Sequence, residues 1–224
     1  MKRIIEPELM NDREQAQAYA RADFTQPHQR FIELFKQTFP HWPGKGSVLD
    51  LGCGPGDIAM RFARAFPECQ IDGIDGAPAM LEVGYEALKR DSELQSRVKL
   101  HLVHLPDQHP PLSRYNAVIS NSLLHHLHHP DILWTSVRNY AAPGCPVFII
   151  DLMRPESRNE AERLTSLYVA NEADMLRHDF FRSLLASFTV DEVRDQLNFA
   201  GLSGLSISAI SDRHLMVHGM APSP

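Results

Sequence analysis

The apolar positions of this 224-residue chain switch repeatedly between a run or alternation and a helical spacing, which predicts strands separated by helices. Val48, Leu49 and Leu51 read as a buried strand closed by Gly52, Gly54 and Gly56. Ile58, Ala59, Phe62, Ala63 and Phe66 then recur at helical spacing over 57–66, up to Pro67. A second strand is predicted around 70–74, a helix with Met80, Leu81, Val83 and Leu88 after it, and an alternating third strand over 98–103. Loop residues 106–114 lead to a fourth strand at 115–120, a helix at 132–140 stopped by Pro143-Gly144, and a fifth strand at 147–151. Strands joined by helices of this length imply a parallel sheet covered on both faces.

The flanks add to this frame. Residues 9–20 are polar and helix-prone, and a second helix starts at Thr25 or Gln26 with Pro27 in its first turn and Phe31, Ile32, Leu34, Phe35 and Phe39 on one face. Residues 1–44 therefore read as a helical N-terminal lid. Residues 156–188 form a further helical segment. Thr189 before Asp191 and Glu192 looks like an N-cap, and Gly201 ends that helix. Residues 205–210 and 214–217 have the pattern of a terminal hairpin. There is no internal repeat.

The glycine turn carries the first chemistry. Asp50 precedes Gly52-Cys53-Gly54-Pro55-Gly56, and a helix N-terminus faces the same point. Strand, glycine turn and helix mark a nucleotide-type ligand at the carboxyl edge of the sheet. The spacing is G-x-G-x-G rather than the dinucleotide G-x-G-x-x-G, and an acid so close would repel a pyrophosphate while suiting a cation. In these residues the chain resembles the class I S-adenosylmethionine-dependent methyltransferases, with a flavour of the ubiquinone- and menaquinone-biosynthesis group. The resemblance covers about 45–220. It implies a Rossmann-like α/β doubly wound sheet of seven strands, order 3-2-1-4-5-7-6, with an antiparallel C-terminal strand. It also implies S-adenosylmethionine as cofactor, with S-adenosylhomocysteine as product.

Residue by residue, the resemblance places Asp50, Gly52, Cys53 and Gly54 at the cofactor. Asp72 and Asp75 compete for the ribose hydroxyls; Asp75 stands at the strand end, followed by Gly76 and Met80, although an N-cap role would also explain it. Relatives often carry an acid after the third strand where this chain has His104, and the Leu105 amide would meet the adenine. Asn116 replaces a usual aspartate and preserves its hydrogen-bonding shape. Asn121 would line the cleft.

Seven of the twelve histidines fall between 101 and 129. His125 and His126 follow the fourth strand, and the resemblance implies that one or the other faces the methyl-transfer site, where an imidazole can act as a base; a loop histidine that caps and packs explains each as well. No acid or cysteine completes a metal set by spacing, so no metal is expected. Asp151 and Tyr168 complete the catalytic candidates, and Arg154 stands at the same sheet edge. The 156–188 segment is expected to cover the substrate, with Tyr168, Asn171, His178 and Arg182 as contacts or as parts of a solvated face.

Composition narrows the partners. A formal charge of −6 without a lysine or arginine block speaks against nucleic acid, and the N/D-P-P-Y/F signature of base methylation is replaced by Asn121-Ser122-Leu123-Leu124. Three scattered cysteines make no disulfide framework. No apolar run reaches the roughly 18 residues of a membrane span. The start turns acidic before a signal core forms, so a cytoplasmic location is expected. The expected partner is a small-molecule methyl acceptor, with a homodimer allowed. A macromolecule methyltransferase, a non-catalytic cofactor-binding regulator and a nicotinamide oxidoreductase are the rival readings.

Overall fold

The computed structural model describes residues 1–7 and 9–222. Seven strands, β1 (Lys45–Leu51), β2 (Glu68–Asp75), β3 (Val98–Leu102), β4 (Ala117–Asn121), β5 (Pro146–Leu152), β6 (Ser206–Ala209) and β7 (His214–Met220), form one sheet in the order β3-β2-β1-β4-β5-β7-β6. The first five pair in parallel, while β7 runs antiparallel to both β5 and β6. This is the order and the antiparallel tail expected from the sequence.

Both faces of the sheet are covered, which is why its central strands are apolar at successive positions. Val48 of β1 and Phe148 of β5 pack on one side against α2 (Thr25–Thr38) and α3 (Asp57–Ala65). Leu49, Val147 and Ile149 pack on the other against α6 (Asp131–Tyr140) and α9 (Val190–Phe199). α9 opens with a full capping box between Thr189 and Glu192. α1 (Arg13–Arg21) lies on α4 (Pro78–Leu88), where Ala16 meets Ala77 and Met80. α7 (Arg158–Tyr168) and α8 (Asp174–Ala186) pack on one another through Leu164, Leu184 and Leu185 beside Leu152.

Two local features depart from the sequence pattern. α5 (Ser92–Gln95) occupies a stretch too short to show a period, and is fixed by the Asp91 carboxylate accepting from the Leu94 amide at 3.2 Å. β4 begins later than expected, because Tyr115 makes only an isolated bridge to Ala141. Asn116 beside it accepts from the Ser47 amide at 3.0 Å, which ties the entry of β4 to β1.

The expected N-terminal lid divides in two. Residues 1–7 have no regular secondary structure and lie over the carboxyl edge, with the Ile4 amide bonded to the Leu185 carbonyl at 3.0 Å. α2, in contrast, belongs to the core. Asp23 accepts from the Thr25 amide at 2.9 Å, which sets its start at the first of the two candidates. Its Phe35 is wholly buried, with ring centroids of Phe62 and Phe148 at 4.8 and 5.4 Å in edge-on geometry. Phe35→Ala should therefore lower stability to denaturant by about 3–5 kcal/mol. A loss under about 1 kcal/mol would show that α2 is a detachable cap instead.

Candidate active site

The glycine turn is built from backbone that other residues adopt only with strain: Gly52, Gly54 and Gly56 have φ of 68°, 53° and 78°. Gly52 is also constrained by packing, since a Cβ there would lie 2.7 Å from Leu123 Cδ1. At Gly54 a Cβ would meet only Met80 Cε at 3.6 Å, so this side of the turn opens onto free space. The Asp75 carboxylate holds the turn in place. One oxygen accepts from the Gly54 amide and the other from the Ala77 amide, both at 2.8 Å. The group thus caps locally and also spans two strands. Asp72 is engaged elsewhere, by the Tyr115 hydroxyl at 3.0 Å and His101 at 2.9 Å.

Asp50 is 1% exposed, and its Oδ2 has no hydrogen-bond partner. Burial, together with the neighbouring Asp75, pushes its carboxyl well above the usual range. Burial raises Asp75 as well, against the pull of its amide donors. Two acids with spare lone pairs in a dry site fit a ligand that brings a cationic group and hydroxyls. All the residues expected at the cofactor line one cavity of about 860 Å³: Asp50, Gly52, Cys53, Gly54, Asp75, Gly76, Met80, His104, Leu105 and Asn121.

The same cavity reaches a second polar cluster. His125 and Asp151 are both buried, with Nδ1 and Oδ1 2.6 Å apart. Asp151 is fixed in turn by the amides of Leu124 and Leu152, at 2.7 and 2.8 Å. Burial opposes a charge on His125, but the Asp151 carboxylate and its hydrogen bond outweigh this and raise the imidazole pKa. His126, whose ring is tilted against it with centroids 4.1 Å apart, is held well below its ordinary value by burial and by His125. The adjacent histidines therefore favour opposite protonation states.

Glu6 joins this cluster, and no sequence signal marks it. Its side chain is buried, accepts from Ser183 Oγ at 3.0 Å, and is 3.3 Å from His126 Nδ1 and 3.8 Å from His125 Nε2. Arg3 positions it. The guanidinium donates to the carbonyls of His125 and Leu127 at 2.9 and 2.8 Å and stacks 3.9 Å over the Phe188 ring.

The remaining candidates are spread more widely. Tyr168 lines the cavity, but its hydroxyl donates to Asp212 at 2.8 Å and Arg213 covers its ring, so it is not brought to the His125–Asp151 pair. Arg182 lines the cavity, whereas Asn171 and His178 are exposed and lie outside its lining. Arg154 is a packing residue, bonded to Glu192 at 2.6 Å and to the Ser187 carbonyl at 3.2 Å.

Residues 49–147 match the model of a family described as "Methyltransferase domain". That match, together with the order of the sheet, supports a class I methyltransferase domain in this part of the chain. An uncharacterized methyltransferase of Mycobacterium tuberculosis is 26% identical over 185 residues, which cover 80% of this chain and 89% of that protein. The trans-aconitate 2-methyltransferase of Methylobacterium radiotolerans is 37% identical over 72 residues, covering 32% of this chain and 26% of that one. Among solved structures, the plantazolicin methyltransferase BpumL, in complex with a desmethylPZN analogue and S-adenosylhomocysteine (SAH), superposes with a TM-score of 0.70 at 15% identity. That alignment covers 94% of this chain and 91% of BpumL. Similarity at this level establishes the shared fold.

Calorimetric titration with SAH tests the turn. Asp75→Ala should weaken binding by about tenfold or more, the worth of a charge-assisted hydrogen bond. Gly54→Val, which places a branched side chain at a positive φ facing the cavity, should abolish binding. Unchanged affinity in either variant would displace the cofactor from this turn. The pH dependence follows from Asp50. Its pKa is raised in the free protein and must fall when an ammonium settles beside it, so binding releases protons and tightens as pH rises through the raised value. Asp50→Asn should reduce the proton release measured in buffers of different ionisation heat, and an identical release would remove Asp50 from the ammonium.

Proposed function

We propose that the protein is an S-adenosylmethionine-dependent methyltransferase acting on a small-molecule acceptor by direct displacement. The observation that carries this reading is the continuity of the cavity. About 860 Å³ joins the orphaned Asp50 carboxylate at one end to the Glu6–His125–Asp151 cluster at the other. Cavities of roughly 300–1,000 Å³ suit small ligands rather than a folded partner. The N-terminal segment, α1, α7 and α8 supply its cover, through Glu6, Met10, Tyr19, Tyr168, Leu176 and Phe180.

The bound cofactor supplies an activated methyl on a sulfonium, already provided with its leaving group. The chain's task is then largely alignment, for which orientation alone can contribute about 7–11 kcal/mol. Asp50 meets the ammonium, Asp75 the ribose hydroxyls, and Gly54 leaves room between them. His104 and the Leu105 amide stand at the base, and Asn121 lies along the cleft. At the far end the buried cluster lowers the cost of removing the acceptor's proton, with Asp151 fixing the tautomer and orientation of His125. The relatives' acceptors differ widely, so the acceptor follows from the cavity and not from the fold.

An acceptor screen read by SAH release tests the activity. On an acceptor so found, Asp151→Asn should lower kcat by about 10²–10⁴, the range of acid–base contributions. SAH affinity should stay within about twofold of the unaltered protein's. Full turnover in that variant would remove the cluster from the chemistry.

A further inference from the structure

The polar cluster contains more than an acid–base pair. Glu6, His125 and His126 each present a donor atom, and the three atoms lie within 4.8 Å of one another. The two distances from Glu6 Oε1, 3.3 and 3.8 Å, fall within the span of about 4 Å that two metal–ligand bonds of ~2.1 Å can bridge. We propose that these three residues bind a divalent transition-metal cation at the acceptor end of the cavity.

The arrangement of lone pairs favours an ion over a set of hydrogen bonds. His125 Nδ1 faces Asp151, so in the neutral ring the proton sits there and Nε2 points its lone pair at Glu6. A metal-bound imidazole is usually held this way, by a carboxylate on its far nitrogen. His126 is hydrogen-bonded to the Pro7 carbonyl, while its buried Nδ1 has no hydrogen-bond partner. A carbonyl only accepts, so the ring proton is on that side and Nδ1 is a bare lone pair. It lies 3.3 Å from Glu6 Oε1, close enough but misdirected for a hydrogen bond. Two ligands of one ion approach each other in this off-axis way. Without a metal ion, the bare Nδ1 of His126 faces the Glu6 carboxylate at 3.3 Å with no proton between them, an arrangement that costs free energy in a dry site.

The surroundings are built to hold the geometry. Ser183 Oγ donates to the Glu6 carboxylate at 3.0 Å, and Arg3 clamps the carbonyls on either side of the histidine pair. All three donors line the cavity, so the ion keeps open positions towards the acceptor. Two imidazoles and one carboxylate with open positions suit zinc or ferrous iron better than calcium or magnesium, which prefer oxygen. This deepens the methyltransferase reading, on which it rests for the ion's role. An acceptor oxygen bound to the ion loses its proton to water. Its freed lone pair then forms the bond to the methyl carbon, and the carbon–sulfur electrons stay on sulfur. No oxidant or reductant enters. Sequence spacing predicted no metal because the carboxylate comes from Glu6, far from the histidines along the chain.

The test is titration of the metal-free full chain with Zn²⁺ by calorimetry and with Co²⁺ by visible absorption, alongside SAH binding. A single site with the intense d–d bands of a low-coordinate cobalt centre is expected. Glu6→Gln and His126→Gln should each weaken it by about 100-fold or more, and Asp151→Asn by about 10–100-fold. His129→Gln, on the exposed pair nearby, should leave it unchanged. Retained SAH binding shows that each variant is folded. Absence of a stoichiometric Co²⁺ site in the unaltered protein, or a site indifferent to Glu6 and His126, overturns the proposal. Loss of SAH binding by the unaltered protein would instead overturn the methyltransferase reading, so the two failures are distinguishable.

Discussion

A buried and a half-buried carboxylate on neighbouring strands, Asp50 and Asp75, set the condition that the rest of the molecule meets. Charges that close in a dry site repel strongly, and one of the Asp50 oxygens has no donor at all. The free fold tolerates this on a rigid frame because Asp50 tends to keep its proton. The frame is the pairing of β1 with β2, whose apolar side chains are packed on both faces and whose carboxyl ends carry the acids. Asp75 does double duty here. It holds the Gly54 and Ala77 amides and keeps lone pairs to spare for a ligand.

This half of the site was legible in the sequence because it is local. Strand, acid, glycines and helix are contiguous from Val48 to Phe66, and Asp75 follows at the end of the next strand. Position alone favoured Asp75 over Asp72, and in the structure Tyr115 and His101 already hold Asp72. The parallel sheet followed from the alternation of strands and helices, its order from the family resemblance, and the terminal hairpin from two short runs around Ser211-Asp212-Arg213. What periodicity missed was too short or too irregular to have a period, namely α5 and residues 1–7.

The other half was only partly legible, because it is assembled from distant pieces. The sequence left His125 and His126 as equals, since two neighbours in a turn carry no information about which way each ring points. The structure separates them through partners, Asp151 from β5 for one and Glu6 from the N-terminal segment for the other. Tyr168 shows the reverse case. Its place on a helix over the cavity was readable, but the Asp212 carboxylate that takes its hydroxyl lies in the β6–β7 turn, and no local pattern connects them.

The two halves therefore differ in what holds them. The donor end rests on backbone geometry within one βαβ unit, which survives as long as the sheet does. The acceptor end depends on a strap whose Arg3 grips the histidine turn, whose Ile4 pairs with the Leu185 carbonyl at the end of α8, and whose Glu6 meets Ser183 in that helix. The segment that covers the cavity also completes its charge, so exclusion of water and assembly of the acid–base cluster are a single structural event. Electrostatic interactions within the cluster gain strength from its burial, because the local dielectric there is low. A core built for stability and an edge built from long-range polar contacts can thus be altered separately, and this separation lets one fold keep its methyl donor while its acceptor varies.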